Sequence, residues 1–217
     1  MKKNLLSILC VSVLTLSLFS CKEKAKEATT SEAETVAVVE AEATKYTVNT
    51  EASSIAWKGF KPTDEHFGTI GLKSGSISTT DGTITAGSFV IDMGSIVVLD
   101  IPADEKGNAK LVSHLSNDDF FDVEKFPTAT FEITGVTESE GKTLLSGNLT
   151  LKEATNNVTF PVSTTTEGDT ITLESETFTI DRTKWNVRYG SKSLFDNLGD
   201  KFINDDIELK VTLKATK

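Results

Sequence analysis

From about residue 45 to the end of the chain, large apolar side chains recur at every second position, which restricts the fold more than any other feature. In the last such run, every second residue is polar, and the apolar ones are Ile207, Leu209, Val211 and Leu213. Successive side chains of a β-strand point to opposite faces of the sheet. The period therefore predicts strands that have one buried face and one face in water.

Turn signals divide these runs and predict an all-β domain. Acidic-Gly pairs stand at 81–82, 140–141 and 167–168, where hairpin turns are expected. We expect about eight strands and one short helix, around 109–117. Regularly spaced strands without intervening helices indicate a sandwich or a closed barrel. Closure would remove the exposed edge of the long last strand, but periodicity alone leaves both architectures open.

The first 20 residues have the pattern of an export signal: a basic start, an apolar run from Leu5 to Phe19, and a small residue before Cys21. The run is shorter than the ~20 residues that cross a bilayer as a helix. The segment Leu18-Phe19-Ser20-Cys21 resembles the lipobox of bacterial lipoproteins, whose cysteine is lipidated. An ordinary cleaved signal and an uncleaved anchor are the alternatives. At about 0.8 kcal/mol per buried CH2, two or three acyl chains such as palmitate form a stable membrane anchor.

Residues 22–44 contain no aromatic side chain before the β domain begins. Such a segment buries too little apolar surface to offset its ordering entropy, so we expect a flexible tether. The predicted organisation is a signal peptide at 1–20, the lipidated Cys21 with a flexible linker at 21–44, and a barrel domain at 45–217. Lys22-Glu23 resembles the surface-export signal of Bacteroidetes lipoproteins. The expected location is the cell envelope, at the outer membrane facing the periplasm or exposed at the surface.

Charge and cysteine content exclude several classes of function. The formal net charge is −10, and an acidic surface repels phosphate backbones, so nucleic acid is not an expected partner. The chain has two cysteines, Cys10 in the signal and Cys21 at the lipidation site. The folded domain would then contain no disulfide, thiolate metal site or cysteine nucleophile. No phosphate-loop, nucleophile-elbow or His-Glu-x-x-His motif occurs. We therefore expect no enzyme activity, no metal and no cofactor; the oligomeric state is left open.

The segment from Leu111 to Phe131 contains a His-Leu pair, an Asp-Phe-Phe-Asp turn and a Phe-Pro step into a strand. Three further pieces occur in order along the chain: Tyr46-Thr47-Val48 with Ile55-Ala56-Trp57, then Gly147-Asn148-Leu149-Thr150-Leu151, then Asp181-Arg182 with Trp185. This set resembles the YceI-like, polyisoprenoid-binding family over roughly residues 45–215. After Leu151 the family usually has a Gly-Val-Thr-Lys-like hairpin, where this chain has Glu153-Ala154-Thr155-Asn156. The turn geometry is expected to differ there.

The resemblance implies an extended antiparallel eight-stranded β-barrel, lipocalin-like, with one short helix. It also implies binding of a long isoprenoid lipid, a quinone or a polyprenyl chain, for storage or transport in the envelope. An eight-stranded barrel can enclose one small ligand, and an apolar chain gains about 25 cal/mol for each Å² it buries. The alternative is an envelope stress or protein-interaction lipoprotein whose barrel is packed solid and holds no ligand. An elongated void in the barrel would distinguish the two.

Nine residues are candidates for the binding site. In a barrel, core and cavity share one space, so the aromatic residues at strand spacing are expected to line the cavity: Trp57, Phe89, Phe131, Phe160 and Phe178. Polar residues that could contact a headgroup are His66, His114, Arg182 and Arg188, since an arginine fork can donate to diphosphate or quinone oxygens. His114 could instead be a hydrogen-bonded structural histidine. Arg182 could instead pair with an acidic residue and hold one barrel end shut, and Phe120 and Phe121 could plug an end beneath the helix.

Overall fold

A computed structural model describes residues 25–217, so the predicted signal peptide and Cys21 lie outside the described residues. The α-helix, α1, spans Lys106–Ser116. The strands are β1 Lys26–Glu27, β2 Thr29–Glu32, β3 Thr44–Val48, β4 Ser54–Phe60, β5 Glu65–Ile70, β6 Leu72–Thr80, β7 Thr83–Asp92, β8 Val97–Val98, β9 Thr128–Ser139, β10 Lys142–Leu151, β11 Ala154–Glu167, β12 Thr170–Ser175, β13 Phe178–Asp181 and β14 Asp206–Thr216. Short 3-10 helices occur at Met93–Ser95, Arg182–Trp185 and Gly199–Lys201. No helix within residues 25–217 is long and apolar enough to cross a membrane.

Eight strands form a closed antiparallel barrel in the order β12-β11-β10-β9-β7-β6-β3-β14. The ring closes where β14 pairs with β12, with Leu173 opposite Leu213. At one end the wall is continued by β4 and β13, which both pair with β14, and by β5 and β8. The predicted all-β barrel with one short helix is therefore confirmed, and closure decides between barrel and sandwich.

The hairpin turns explain how the strands reverse at the opposite end, which we call the closed end. Asp81-Gly82 and Glu140-Gly141 have positive φ at both residues, as a two-residue type I′ turn requires. The third turn lies one residue later than predicted, at 168–169, because Glu167 is still paired with Thr170. The interior is filled near this end, where Ile77 and Ile171 are fully buried.

Helix α1 lies at the other end of the barrel. It begins at Lys106, three residues before the predicted start, and ends at Ser116. The Asn108 side chain donates to the carbonyls of Val98 (3.0 Å) and Ile101 (2.7 Å), which fixes the first turn of the helix to the preceding loop. Leu115 is buried in the barrel core, so the helix packs against this end of the barrel.

Part of the predicted flexible tether is instead ordered on the barrel wall. Residues 26–37, which we call the strap, run outside the ring, with β1 parallel to β13 and β2 antiparallel to β11. Ala28 is buried between these strands, and its N–H donates to the carbonyl of Thr179 (2.9 Å). The expectation of flexibility is wrong for this part of the linker.

A split in the barrel wall accounts for the docked strap. The ladder between β11 and β12 ends where Glu176 N–H donates to the carbonyl of Pro161 (3.1 Å). In a strand, the backbone nitrogen and carbonyl of one residue point toward the same neighbouring strand. Pro161 has no N–H, so it cannot donate the hydrogen bond that would continue its pairing with the chain after β12. From this point toward the helix end of the barrel, β13 remains paired with β14 and β11 remains paired with β10, so a gap lies between β13 and β11. The strap occupies the gap and pairs with both edges.

Beyond the gap, backbone-type contacts hold the rest of the strap. The Asn148 amide accepts from Glu34 N–H (2.9 Å) and donates to the Glu34 carbonyl (2.7 Å), as a neighbouring strand would. Ala37 N–H donates to the carbonyl of Ile133 (3.0 Å), next to a bulge in β9. These contacts need no aromatic side chain, so composition could not reveal them.

Candidate functional site

The barrel contains two apolar chambers that share five lining side chains. The mouth chamber, about 170 Å³, lies at the helix end, and the deep chamber, about 80 Å³, lies further inside. The side chains that line both are Ile55, Ile91, Leu149, Ile180 and Leu209. An engineered apolar cavity of about 150 Å³ in another protein stays dry and binds benzene. The mouth chamber is therefore large enough for a small apolar group, and the deep chamber, about half that volume, adjoins it through the shared side chains.

Four of the five predicted aromatic residues line the deep chamber: Phe89, Phe131, Phe160 and Phe178. Their rings form a continuous row across β7, β9, β11 and β13. The centroids are 6.3 Å apart for the first pair and 5.8 Å for the second, and the last pair is stacked at 4.2 Å. A side chain at Gly147 would overlap the Phe131 ring, so this glycine gives the ring its space. The fifth residue, Trp57, lines the mouth chamber instead.

Polar side chains reach the mouth chamber at its rim, which we call the mouth: Lys61, His66, His114, Arg182 and Asn204. His66 Nδ1 lies 2.7 Å from Asp100 Oδ2, and Phe67 N–H donates to the other carboxylate oxygen (2.9 Å). Burial by itself would raise the pKa of Asp100. The hydrogen bonds from His66 and Phe67 outweigh burial and hold that pKa below its ordinary value. The His66 ring is therefore held at the mouth by a partly buried carboxylate.

His114 projects from α1 into an aromatic cluster. Its ring meets Tyr189 edge-on at a centroid distance of 4.7 Å and Phe120 at 5.8 Å. Within residues 25–217 the ring has no hydrogen-bond partner, which differs from the hydrogen-bonded structural alternative. His114 thus presents an imidazole to the mouth chamber from an apolar setting.

Arg182 is fully buried and holds the mouth loop, residues 186–205, against the barrel. Its guanidinium donates to three loop carbonyls: Val187 (2.7 Å), Ile203 (3.0 Å) and Asn204 (3.0 Å). Asp205 Oδ1 lies 3.5 Å from Nη2. Burial lowers the pKa of Arg182, while Asp205 and Asp181 act in the opposite direction. This geometry matches the structural alternative for Arg182, although the side chain also lines the mouth chamber.

A family model described as the YceI-like domain matches residues 46–215, nearly the whole barrel. The chain belongs to the YceI-like family. This confirms the resemblance predicted from the segment between Leu111 and Phe131.

Solved structures share the YceI-like fold at low sequence identity. BcnA of Burkholderia cenocepacia has a TM-score of 0.60 and 22% identity, and the match covers 78% of this chain and 99% of that one. A polyisoprenoid binding domain from Saccharophagus degradans, implicated in plant cell wall breakdown, has a TM-score of 0.56 and 15% identity, with 79% and 97% covered. At these identities the likeness shows the fold alone. No curated protein matches the chain.

Arg188 is separated from the other candidates in this YceI-like barrel. Its side chain is exposed, lines neither chamber, and donates to the Asn186 side chain (2.8 Å). Trp185, between the two arginines in sequence, is fully buried and donates from Nε1 to the carbonyl of Leu149 (2.8 Å). The turn at Arg182–Trp185 therefore points Arg182 inward and leaves Arg188 in solvent.

Several residues of the mouth were not among the candidates. Lys61 follows a strand, and Ile203 and Asn204 lie in a loop with no strand period, so no local signal marks them as cavity residues. Phe120 and Phe121, expected as a plug beneath the helix, line the mouth chamber with their rings 5.2 Å apart. Within the described part of the chain, no three His, Asp or Glu side chains lie close enough to hold a metal ion.

Proposed function

We propose that this YceI-like barrel binds a long-chain isoprenoid lipid, of the quinone or polyprenyl type, and stores or carries it in the cell envelope. The observation that carries the proposal is the pair of adjoining apolar chambers, of which only the mouth chamber is lined by polar side chains. Such a shape suits a molecule with a long apolar chain and a small polar head. A fold neighbour described as a polyisoprenoid binding domain supports the same class of ligand.

Burial of the chain supplies most of the affinity. Each CH2 group removed from water contributes about 0.8 kcal/mol, and the Phe row gives the chain flat apolar surfaces to contact. No hydrogen bond is needed along the tail, so specificity depends on the fit of the tail and on the head.

The head is expected at His66, Lys61 and Asn204. Each of the three guanidinium nitrogens of Arg182 already donates to a loop carbonyl, and Arg188 lies outside the chambers. Arg182 therefore shapes the mouth, while His66 and Lys61 are the groups placed to donate to a quinone or diphosphate oxygen.

The void argues against the alternative of a solidly packed barrel that acts only through protein contacts. The proposed role is also non-enzymatic. Binding and release of a lipid require no bond to be made or broken.

We further propose that Cys21 is lipidated and anchors the barrel in the envelope, at the outer membrane facing the periplasm or at the surface. Because the strap begins at Lys26, only residues 22–25 separate the anchor from the barrel wall. The cargo site would then stay beside the membrane that holds the cargo.

Organic extraction tests the cargo. A chain of residues 22–217, purified from its native host without detergent, is extracted and the extract is analysed by mass spectrometry. We expect about one prenyl lipid for each protein, and uptake of an added long-chain quinone by protein that has been stripped of lipid. Ligand-free protein that takes up no quinone would refute the proposal.

A substitution inside the deep chamber links uptake to the void. Phe131→Asp places a carboxylate in the aromatic row and is expected to abolish uptake. Thr130→Asp, at the neighbouring outward position of β9, is the matched control and should retain uptake. Circular dichroism and urea unfolding identify whether Phe131→Asp is still folded.

A further inference from the structure

Exposed large apolar side chains are concentrated around the mouth. Six of those in residues 25–217 lie on segments that border it: Phe67, Val97, Leu99, Tyr189, Leu194 and Phe195. The other three lie on the segment that leads past β9 toward the closed end, where Glu40 accepts a hydrogen bond from Thr80: Val36, Val38 and Val39. Contiguous exposed apolar surface marks a binding surface more often than scattered residues do.

The six residues form two groups, each next to a residue that lines the mouth chamber. Leu99 N–H donates to the carbonyl of Phe67 (2.9 Å), next to His66 on the rim. Tyr189 contacts His114, which also lines the chamber. The mouth loop carries Leu194 and Phe195 at its tip, both about half exposed at 49% and 50%. The apolar groups thus border the mouth chamber.

The charge of the mouth loop does not repel an anionic membrane surface. The whole chain is strongly acidic, with a formal net charge of −10. The mouth loop has three basic and three acidic residues: Arg188, Lys192, Lys201, Asp196, Asp200 and Asp205. The loop is therefore neutral overall, and its charge does not repel anionic headgroups.

The distance from the lipidation site favours one end of the barrel for contact with a membrane. Five residue steps from Cys21 to Lys26 span roughly 18 Å at most. Lys26 lies beside Phe178. From there, Arg182 at the mouth is four residues along the strand, about 13 Å, whereas Thr170 at the closed end is eight residues away, about 26 Å. Strand tilt shortens both distances along the barrel axis, so the plane of the mouth is nearer to an anchor at Cys21 than the plane of the closed end is.

We propose that the mouth end of the barrel docks on the bilayer, with Leu194, Phe195 and the Phe67–Leu99 group inserted at the boundary of headgroups and acyl chains. A lipid could then pass between the membrane and the mouth chamber without crossing bulk water. The orientation rests on the proposed lipid anchor, and the transfer route rests on the proposed cargo. Aromatic and aliphatic side chains at this depth gain free energy from burial, as interfacial helices do.

A depth probe on the lipidated full chain tests the orientation. With Cys21 lipidated and the signal removed, an introduced cysteine is the single free thiol. Leu194→Cys and, as the matched control at the closed end, Thr166→Cys are each labelled with the fluorophore NBD. Each protein is reconstituted into phosphatidylethanolamine–phosphatidylglycerol vesicles with or without nitroxide-labelled acyl chains.

We expect the label at 194 to shift its emission to shorter wavelength and to be quenched by the nitroxide lipid, while the label at 166 shows neither change. Adding Phe195→Ser should reduce quenching at 194, and Thr165→Ser should leave it unchanged. Equal quenching at the two positions, an aqueous emission at 194, or failure of the full chain to associate with vesicles would each overturn the proposal. Cargo uptake is measured without vesicles, so the two proposals can fail separately.

Discussion

At the scale of single residues, the guanidinium of Arg182 is the group on which the shape of the mouth most depends. It is itself fully buried, donates to three carbonyls of the mouth loop and faces the partly exposed Asp205. A buried carbonyl that loses its donor costs about 1–3 kcal/mol. The loop therefore has a single polar side chain beneath it that carries several hydrogen bonds at once.

Replacement of the planar guanidinium of Arg182 by an ammonium group should release the mouth loop from the barrel. Arg182→Lys supplies an ammonium group that cannot reach three carbonyls in the plane of the guanidinium. We expect a loss of about 3 kcal/mol or more in the free energy of unfolding, measured by urea denaturation. Arg188→Lys is the control and should change it by no more than about 0.5 kcal/mol. Equal effects at the two positions would contradict the role given to Arg182.

Asp100 gives the mouth a pH dependence with a defined sign. Its pKa in the folded state lies below the ordinary value of 3.8, so its stabilising effect is fully present above that value and is lost as pH falls through the folded pKa. Asp100→Asn should lower the free energy of unfolding at pH 7 by about 1–2 kcal/mol. The difference from the unsubstituted chain should shrink below pH 3.8. Urea denaturation from pH 7 downward measures this.

The control for Asp100 is an exposed carboxylate of the same loop, Asp104. Asp104→Asn should follow the unsubstituted chain at every pH. A pH-independent effect of Asp100→Asn would mean that the carboxylate charge does not contribute and that only the shape of the side chain matters.

At the scale of elements, the strap makes the barrel wall complete. Its strands supply hydrogen bonds to β13 on one side and to β11 on the other, and the deep chamber is lined from both of those strands by Phe178, Val158 and Phe160. The strap thus forms the part of the wall between β13 and β11, next to the deep chamber. Its order depends on the split that begins at Pro161.

A charge in the split should release the strap. Ala28→Asp buries a carboxylate at a position that has 6% of its surface exposed, at a cost of about 2 kcal/mol. Hydrogen exchange measured by mass spectrometry should then show amides of residues 26–37 exchanging about 30-fold faster. Thr29→Asp, exposed on the next position, is the control. Unchanged exchange in Ala28→Asp would show that the strap is held by its later contacts at Asn148 and Ile133.

The elements that the sequence predicts well are those whose signal is local. Alternation along β14 and the Asp81-Gly82 turn each depend on neighbouring residues, and both are found where expected. The four phenylalanines reach the deep chamber because inward strand positions of a barrel share one interior. For the strap the information is distant: its order follows from Pro161 and Asn148, more than a hundred residues along the chain. The prediction of flexibility from the composition of residues 22–44 is therefore wrong for the strap.

The mouth could be predicted only in part for the same reason. His66, His114 and Arg182 were candidates because they stand out as polar residues in the family segments. Lys61 and Asn204 reach the rim through the paired ends of the β4–β5 hairpin and the mouth loop, where Asn204 N–H donates to the carbonyl of Phe60 (2.9 Å). Nothing within a few residues of either position encodes that contact.

At the scale of the whole molecule, the two chambers make the proposed affinity depend on the length of the ligand. A short chain fills the mouth chamber, and a longer one must pass the five side chains shared by both chambers to reach the Phe row. Leu209 is one of the five, on β14 between Trp57 and Phe178. A substitution at this junction can therefore test the effect of ligand chain length on affinity separately from recognition of the head.

A larger side chain at the junction should remove the dependence on length. Leu209→Trp is expected to leave the affinity for a quinone with a one-isoprene tail unchanged and to weaken binding of a long-chain quinone tenfold or more. Tenfold corresponds to about 1.4 kcal/mol, or roughly two buried CH2 groups, and fluorescence titration of stripped protein measures both affinities. Overpacking costs about 1–3 kcal/mol of stability, so binding is measured well below the melting temperature, with Lys210→Trp on the outward face as the control. If Leu209→Trp weakens both quinones equally, the chambers do not act in series; if it weakens neither, the chain does not pass this junction.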